Sequence, residues 1–154
     1  MTNISDTRVE ELVRQCQQEA EKSIQEGNPP FGCVITDLGG NILMTAHNTQ
    51  NTDNDPTAHA EITGLRQLGQ KLRSRYLDDC IMFANAESCS MCMSASIKAH
   101  IKVFYFGAAS EAKMNPWLTV RDVAAKATTP LEIHSPILGE ECAEQIERGR
   151  KQEA

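Results

Sequence analysis

The sequence predicts an α/β domain in which helices cover the faces of a central sheet. Three observations lead there. Helical and strand-like periodicities alternate along the chain, the pattern of helices packed on a sheet. The 154 residues suffice for one sizeable core, so residues 1–154 are expected to form a single domain. Hydrophobic residues make up 40% and charged ones 23%, a globular balance that excludes a disordered or linker-rich chain.

Each element has its own signature. Thr7 followed by Glu10 reads as a capping box, and Val9, Leu12, Val13, Cys16, Ala20 and Ile24 then recur at helical spacing until Gly27. Residues 31–37 and 42–47 are strand-like, and Leu38-Gly39-Gly40-Asn41 between them offers glycines for the positive φ of a hairpin. A polar loop over 51–57 ends in Asp55-Pro56-Thr57, a good helix start. The helix that follows opens just before His59 and buries Ile62, Leu65, Leu68 and Leu72. Residues 80–84 form a short apolar strand, 89–98 a helix, and 101–106 a strand rich in β-branched and aromatic residues. A weaker helix over 120–127, a strand over 131–134 and a helix over 139–150 complete the order.

Charge and composition narrow the function. Fifteen Lys and Arg against 21 Asp and Glu leave a net charge of -6, which repels a phosphate backbone and argues against polymeric nucleic acid as partner. The densest basic stretch, Lys71-Leu72-Arg73-Ser74-Arg75, reads as a solvated helix end, where cations suit the dipole. No apolar run approaches the roughly 18 residues of a membrane helix, and the first residues lack the pattern of a signal peptide. The expected location is the cytoplasm, with no membrane partner and with the six cysteines reduced.

Two short segments carry the chemistry: Thr57-Ala58-His59-Ala60-Glu61 and Glu87-Ser88-Cys89-Ser90-Met91-Cys92. Cys89 and Cys92, three apart at the opening of a helix, share one face, so both sulfurs can reach one ion, and the helix N-terminus favours their thiolates. His59, in the first turn of the preceding helix, is the natural third ligand. Three protein ligands leave a tetrahedral zinc, one per chain, a fourth position for water. Glu61, two residues beyond His59, is placed beside that water rather than on the ion. Zinc lowers the pKa of bound water from about 15.7 towards roughly 7, and Glu61 can take its proton and return it to a leaving amine. That is hydrolytic deamination of an amidine-like C–NH2, whose signature is H-x-E with P-C-x-x-C. Each part alone reads as a core thiol or a solvated helix start; the combination points to a site. Cys16, Cys33, Cys80 and Cys142 sit in apolar periodic contexts and read as packing, and His47, His100 and His134 as structural.

These segments, together with Asn28-Pro29-Pro30-Phe31-Gly32, His47-Asn48, Leu77-Asp78-Asp79-Cys80-Ile81 and Val103-Phe104-Tyr105, resemble the cytidine deaminase superfamily, and within it the guanine deaminases. The resemblance runs from about Asn28 to Trp117. It implies a three-layer α/β/α fold with a five-stranded mixed sheet, a catalytic zinc and a homodimer that completes the pocket. It also implies substrate contacts: Asn48 holding the base by its ring edge, with both donor and acceptor to offer, Phe31 packing against it, Ala60 beside them, and Glu111 reading a purine.

Two departures from that pattern stand out. Ser88 replaces the proline that normally precedes the first cysteine, which is expected to loosen the turn without removing a ligand. The chain also ends in Glu147-Arg148-Gly149-Arg150-Lys151-Gln152-Glu153-Ala154, where similar guanine deaminases carry an aromatic that closes the pocket; Trp117 offers a substitute wall. The leading expectation is therefore a zinc aminohydrolase acting on a free nucleobase, guanine to xanthine first, with cytosine or another amino-heterocycle as runner-up. Deamination of adenosine in tRNA shares most of the motifs but calls for a basic surface. A closed structural zinc site, with Cys80 or His100 as fourth ligand, and a base-binding relative without turnover are the non-catalytic alternatives.

Overall fold

A computed structural model describes residues 2–110 and 118–153. A helix comes first, α1 (Asp6–Gln25), capped by Ser5, whose hydroxyl accepts from the Arg8 amide at 3.1 Å. The expected Thr7–Glu10 capping box is thus replaced by a cap two residues earlier, which adds two residues before the apolar stripe begins. Strands β1 (Gly32–Asp37) and β2 (Ile42–His47) pair antiparallel as expected. In their connection Gly40 takes φ 84°, while Asp37 accepts from the amides of Gly39 and Asn41. Residues expected as loop contain one helical turn, α2 (Gln50–Asp53), held by Asn28, whose side-chain oxygen accepts from the amides of Asn51 and Thr52.

The remaining elements are α3 (Ala60–Leu72), β3 (Cys80–Ala86), α4 (Ser90–Lys98), β4 (Val103–Ala108), α5 (Val120–Lys126), β5 (Glu132–His134) and α6 (Gly139–Glu153). The strands form one mixed sheet in the order β2-β1-β3-β4-β5, antiparallel at β2–β1–β3 and parallel at β3–β4–β5. Helices α1 and α6 cover one face; α3, α4 and α5 lie on the other. The architecture is therefore the expected three-layer α/β/α with a five-stranded mixed sheet.

Period-two alternation along the central strands feeds both layers. Cys33, Ile35, Met82, Ala84, Phe104 and Phe106 point to the α3/α4/α5 side. Val34, Ile81, Phe83 and Tyr105 meet Val9, Leu12, Val13 and Cys16 of α1 on the other. The cysteines read as packing, Cys16, Cys33, Cys80 and Cys142, are all buried. Gly32 lets α1 approach β1: a Cβ there would stand 2.1 Å from the Cys16 carbonyl oxygen. No helix among the described residues is long and apolar enough to cross a membrane.

α6 is tied down at three points. Gln145 donates to the Gln17 carbonyl at 2.7 Å, Arg148 pairs through both terminal nitrogens with Glu21 at 3.1 and 2.9 Å, and Gly149 sits against Ile24 and Pro30. Buried Asn85, at the end of β3, joins these parts: it accepts from the Gly32 amide and donates to the Pro30 carbonyl and to Gln145. The helix runs three residues past its expected end, to Glu153.

Candidate active site

Helices α3 and α4 both begin at chemically loaded positions. His59 is the N-cap of α3 and Cys89 the N-cap of α4; both backbones are extended, and neither side chain bonds back to its helix. An N-cap Ser or Asp normally turns inward to accept a helix amide. An imidazole and a thiol in those places are left to face each other. Sγ of Cys89 lies 3.5 Å from Nδ1 of His59, and Sγ of Cys92, one turn on, lies 3.4 Å from the same nitrogen.

All three donor atoms fall within 4.8 Å of one another. Around a tetrahedral zinc with Zn–N near 2.0 Å and Zn–S near 2.3 Å, a nitrogen and a sulfur stand about 3.5 Å apart. One imidazole and two thiolates are moreover a donor set that zinc favours. The triad therefore fits a zinc ion. Among the described residues no fourth His, Cys, Asp or Glu joins this cluster. Cys80 instead turns its thiol to the Asp78 carbonyl, and His100 pairs with Asp78 and stacks on Tyr76. The four-ligand structural alternative is not built here.

Electrostatics prepare the cluster for a cation. The pKa of Cys89 is lowered to about 4, chiefly by the Cys92 thiol donating to it and then by His59. Cys92 is pushed upward by that same shared hydrogen bond and by burial. His59 is raised, first by its hydrogen bond to Cys89 and then by the Glu61 charge. A thiol lowered in this way supplies the thiolate that a metal ion takes as ligand. Glu61, in the first turn of α3, is buried, and burial raises its pKa against the opposing pull of His59 and of a hydrogen bond from Ser88. That bond is short: the Ser88 hydroxyl donates to Oε2 of Glu61 at 2.7 Å, both side chains buried. Ser88, expected to loosen a turn, also reaches the carboxyl.

A cavity of about 530 Å³ opens over the cluster, lined by His59, Glu61 and Cys89 at one end and by Phe31 and Asn48 on the walls. Asn48 is 1% exposed and partly engaged, its oxygen accepting from the Gln50 amide and its nitrogen donating to the Gln50 side chain. Ala60 does not reach the cavity with its side chain. It is fully buried among Cys33, Ile35 and Leu68, because the first turn of α3 presents that position to the sheet. Glu111 and Trp117 lie outside the described residues.

Sequence reasoning missed several lining residues. Asn85 and Glu87 follow from the end of β3, the carboxyl end of a parallel strand where α/β sheets place their ligands; that rule could have found them. Glu87 is held by the Ser110 amide, the Ser135 hydroxyl and Arg121. Arg150 and Glu153, from the last turns of α6, also line the cavity, with the Arg150 guanidinium 5.9 Å from the Phe31 ring centre. No local signal marks them, since only the docking of α6 brings them there.

Comparison with known proteins agrees with this geometry. Residues 6–108 match the family described as the cytidine and deoxycytidylate deaminase zinc-binding region. A guanine deaminase of Bacillus subtilis is 42% identical over 79 residues, 51% of this chain; the aligned segment spans 50% of that relative's length. A tRNA-specific adenosine deaminase of Haemophilus influenzae is 31% identical over 140 residues, covering 89% of this chain and 80% of that one. The solved structure of guanine deaminase from Bacillus subtilis superposes with a TM-score of 0.63 at 28% identity, over 92% of this chain and 93% of the other.

Proposed function

Because the chain belongs to the cytidine and deoxycytidylate deaminase zinc-binding family, we propose that it hydrolytically deaminates a free nucleobase, guanine to xanthine and ammonia first. One observation carries the reading: a buried carboxyl, Glu61, lines the same cavity as His59 and Cys89 of the His59–Cys89–Cys92 cluster without belonging to the cluster. A purely structural metal site has no use for such a group.

His59, Cys89 and Cys92 would hold the zinc, whose Lewis acidity makes water a nucleophile near neutral pH. Glu61 is placed to hold the proton that an attacking water would give up as its oxygen adds to the ring carbon bearing the amine. Glu61 then delivers the proton to the amine nitrogen, the C–N bond breaks, and ammonia leaves. Burial suits Glu61 to this double duty, since a raised pKa lets it hold the proton between the two transfers. Phe31 offers a ring face to a flat heterocycle, and Asn48 keeps one amide hydrogen beyond its bond to Gln50. The relatives named guanine deaminase support guanine as first substrate; cytosine and other amino-heterocycles share the chemistry and differ only in what the walls accept. The whole chain acts as one deaminase domain, as a homodimer in the cytoplasm.

E61A is expected to keep about one zinc per chain and the native fold while ammonia release is lost. Metal analysis, circular dichroism and an ammonia assay across guanine, cytosine, adenine, isocytosine and their nucleosides check this. Retained turnover in E61A would remove the assignment.

The long alignment to a tRNA-specific adenosine deaminase favours a second reading, deamination of adenosine in RNA. The net charge of -6 opposes it. A gel shift with tRNA across a salt series decides: tight binding that falls steeply with salt would favour RNA.

A further inference from the structure

We propose that Ser88 is a positioning residue for the deamination step, its hydroxyl holding the Glu61 carboxyl in the orientation that faces the cavity. This rests on the deaminase reading above and adds to it the group that orients the proton carrier. The hydroxyl donates to Oε2 at 2.7 Å, and Ser88 is 1% exposed, so water does not compete for the bond. A glutamate has three rotatable side-chain bonds, and a carboxyl that must meet first a water and then an amine works only within a narrow range of positions. At the Ser88 position a proline would stiffen the backbone but offer no donor. Here a side-chain bond reaches across to the other helix start.

The surroundings fix the donor as well as the acceptor. Ser88 stands between Glu87, whose carboxylate is held by the Ser110 amide at 3.0 Å and the Ser135 hydroxyl at 2.7 Å, and Cys89, the N-cap of α4. Glu61 sits two residues into α3, after its own N-cap, His59. The bond therefore joins the segment that carries the two thiols to the segment that carries the imidazole. It links the proton carrier to the frame of the metal cluster rather than to solvent.

The test uses the full chain with measured zinc content. S88A is expected to lower kcat for ammonia release by about tenfold with KM within about twofold, and S88T, which keeps the hydroxyl, to recover most of that loss. Unchanged kcat in S88A, or equal losses in S88A and S88T, overturns the role while leaving the deaminase reading standing. A second arm needs no substrate. S88A should lower the thermal midpoint in the parent chain but not in an E61A background, because the bond is already gone there. Equal shifts in both backgrounds would mean that Ser88 serves only its own turn, and would overturn the proposal. Absence of ammonia from the parent enzyme with every substrate would remove the deaminase reading and this role together.

Discussion

At the scale of single residues, the site divides between groups set by helix starts and groups that reach the cavity from elsewhere in the chain. His59 and Cys89 have their backbones set by the starts of two helices, and Cys92 follows one turn later. Their placement rests on regular structure rather than on loops. The other lining groups are less regular. Arg150 approaches the Phe31 ring from a different layer of the molecule, and a guanidinium near an aromatic wall restricts which ring substituents can enter. R150A is expected to raise KM for the best substrate by about fivefold with kcat changed by less than about twofold, the pattern of lost uniform binding. Initial-rate kinetics check this; a fall in kcat at constant KM would place Arg150 in the chemistry instead.

At the scale of elements, α6 determines the far wall of the cavity, and its docking depends on close contacts. A Cβ at Gly149 would stand 2.5 Å from Cβ of Pro30 and 2.9 Å from Ile24. G149A should push the helix outward, costing about 1–3 kcal/mol as overpacked sites do and weakening substrate binding without metal loss. Urea unfolding and KM report the two effects. The clamp between Glu21 and Arg148 adds a pH-dependent part. Hydrogen bonding to Arg148 lowers the Glu21 pKa below its ordinary value. The pair therefore stabilises the fold fully above the unfolded-state pKa, and the gain is lost as pH falls through the lower folded value. Both side chains are more than a third exposed, so solvent screening limits the worth to about 0.2–1 kcal/mol. R148A should be less stable than the parent at neutral pH, and the gap should close as acid protonates Glu21; denaturant midpoints across a pH series measure it.

At the scale of the whole molecule, the cluster sits beside a large apolar core. Phe83, Phe104, Phe106, Leu12 and Leu68 are fully buried in two layers around the sheet. Chelation is therefore expected to lower the thermal midpoint by several degrees, as loss of a ligand bound to the native state requires, while the far-ultraviolet circular dichroism at room temperature is unchanged. Unfolding on chelation would mean that the ion organises the fold. The order of strands and helices was legible because helical apolar spacing marks α1 and α3, short apolar or β-branched runs mark the strands, and glycine, proline or polar stretches separate many of them. The metal cluster was legible because its spacing is local to two segments. The bond from Ser88 to Glu61, the engagement of Asn48 by Gln50 and the reach of Arg150 were not. They depend on how separate elements meet, and the wrong end assigned to α6 hid its last residues. Ala60 is next to His59 in sequence, yet the first turn of α3 turns its side chain to the core, a direction that sequence proximity does not give.

The two helix starts carry one more consequence. Since neither the His59 nor the Cys89 side chain secures the helix it begins, exchanging one of them leaves each helix with the same backbone start. The donor chemistry is thus an interchangeable fitting on a fixed mount. Replacing a sulfur with an imidazole or a carboxylate would retune which transition ion prefers the pocket, with little demand on the scaffold beneath.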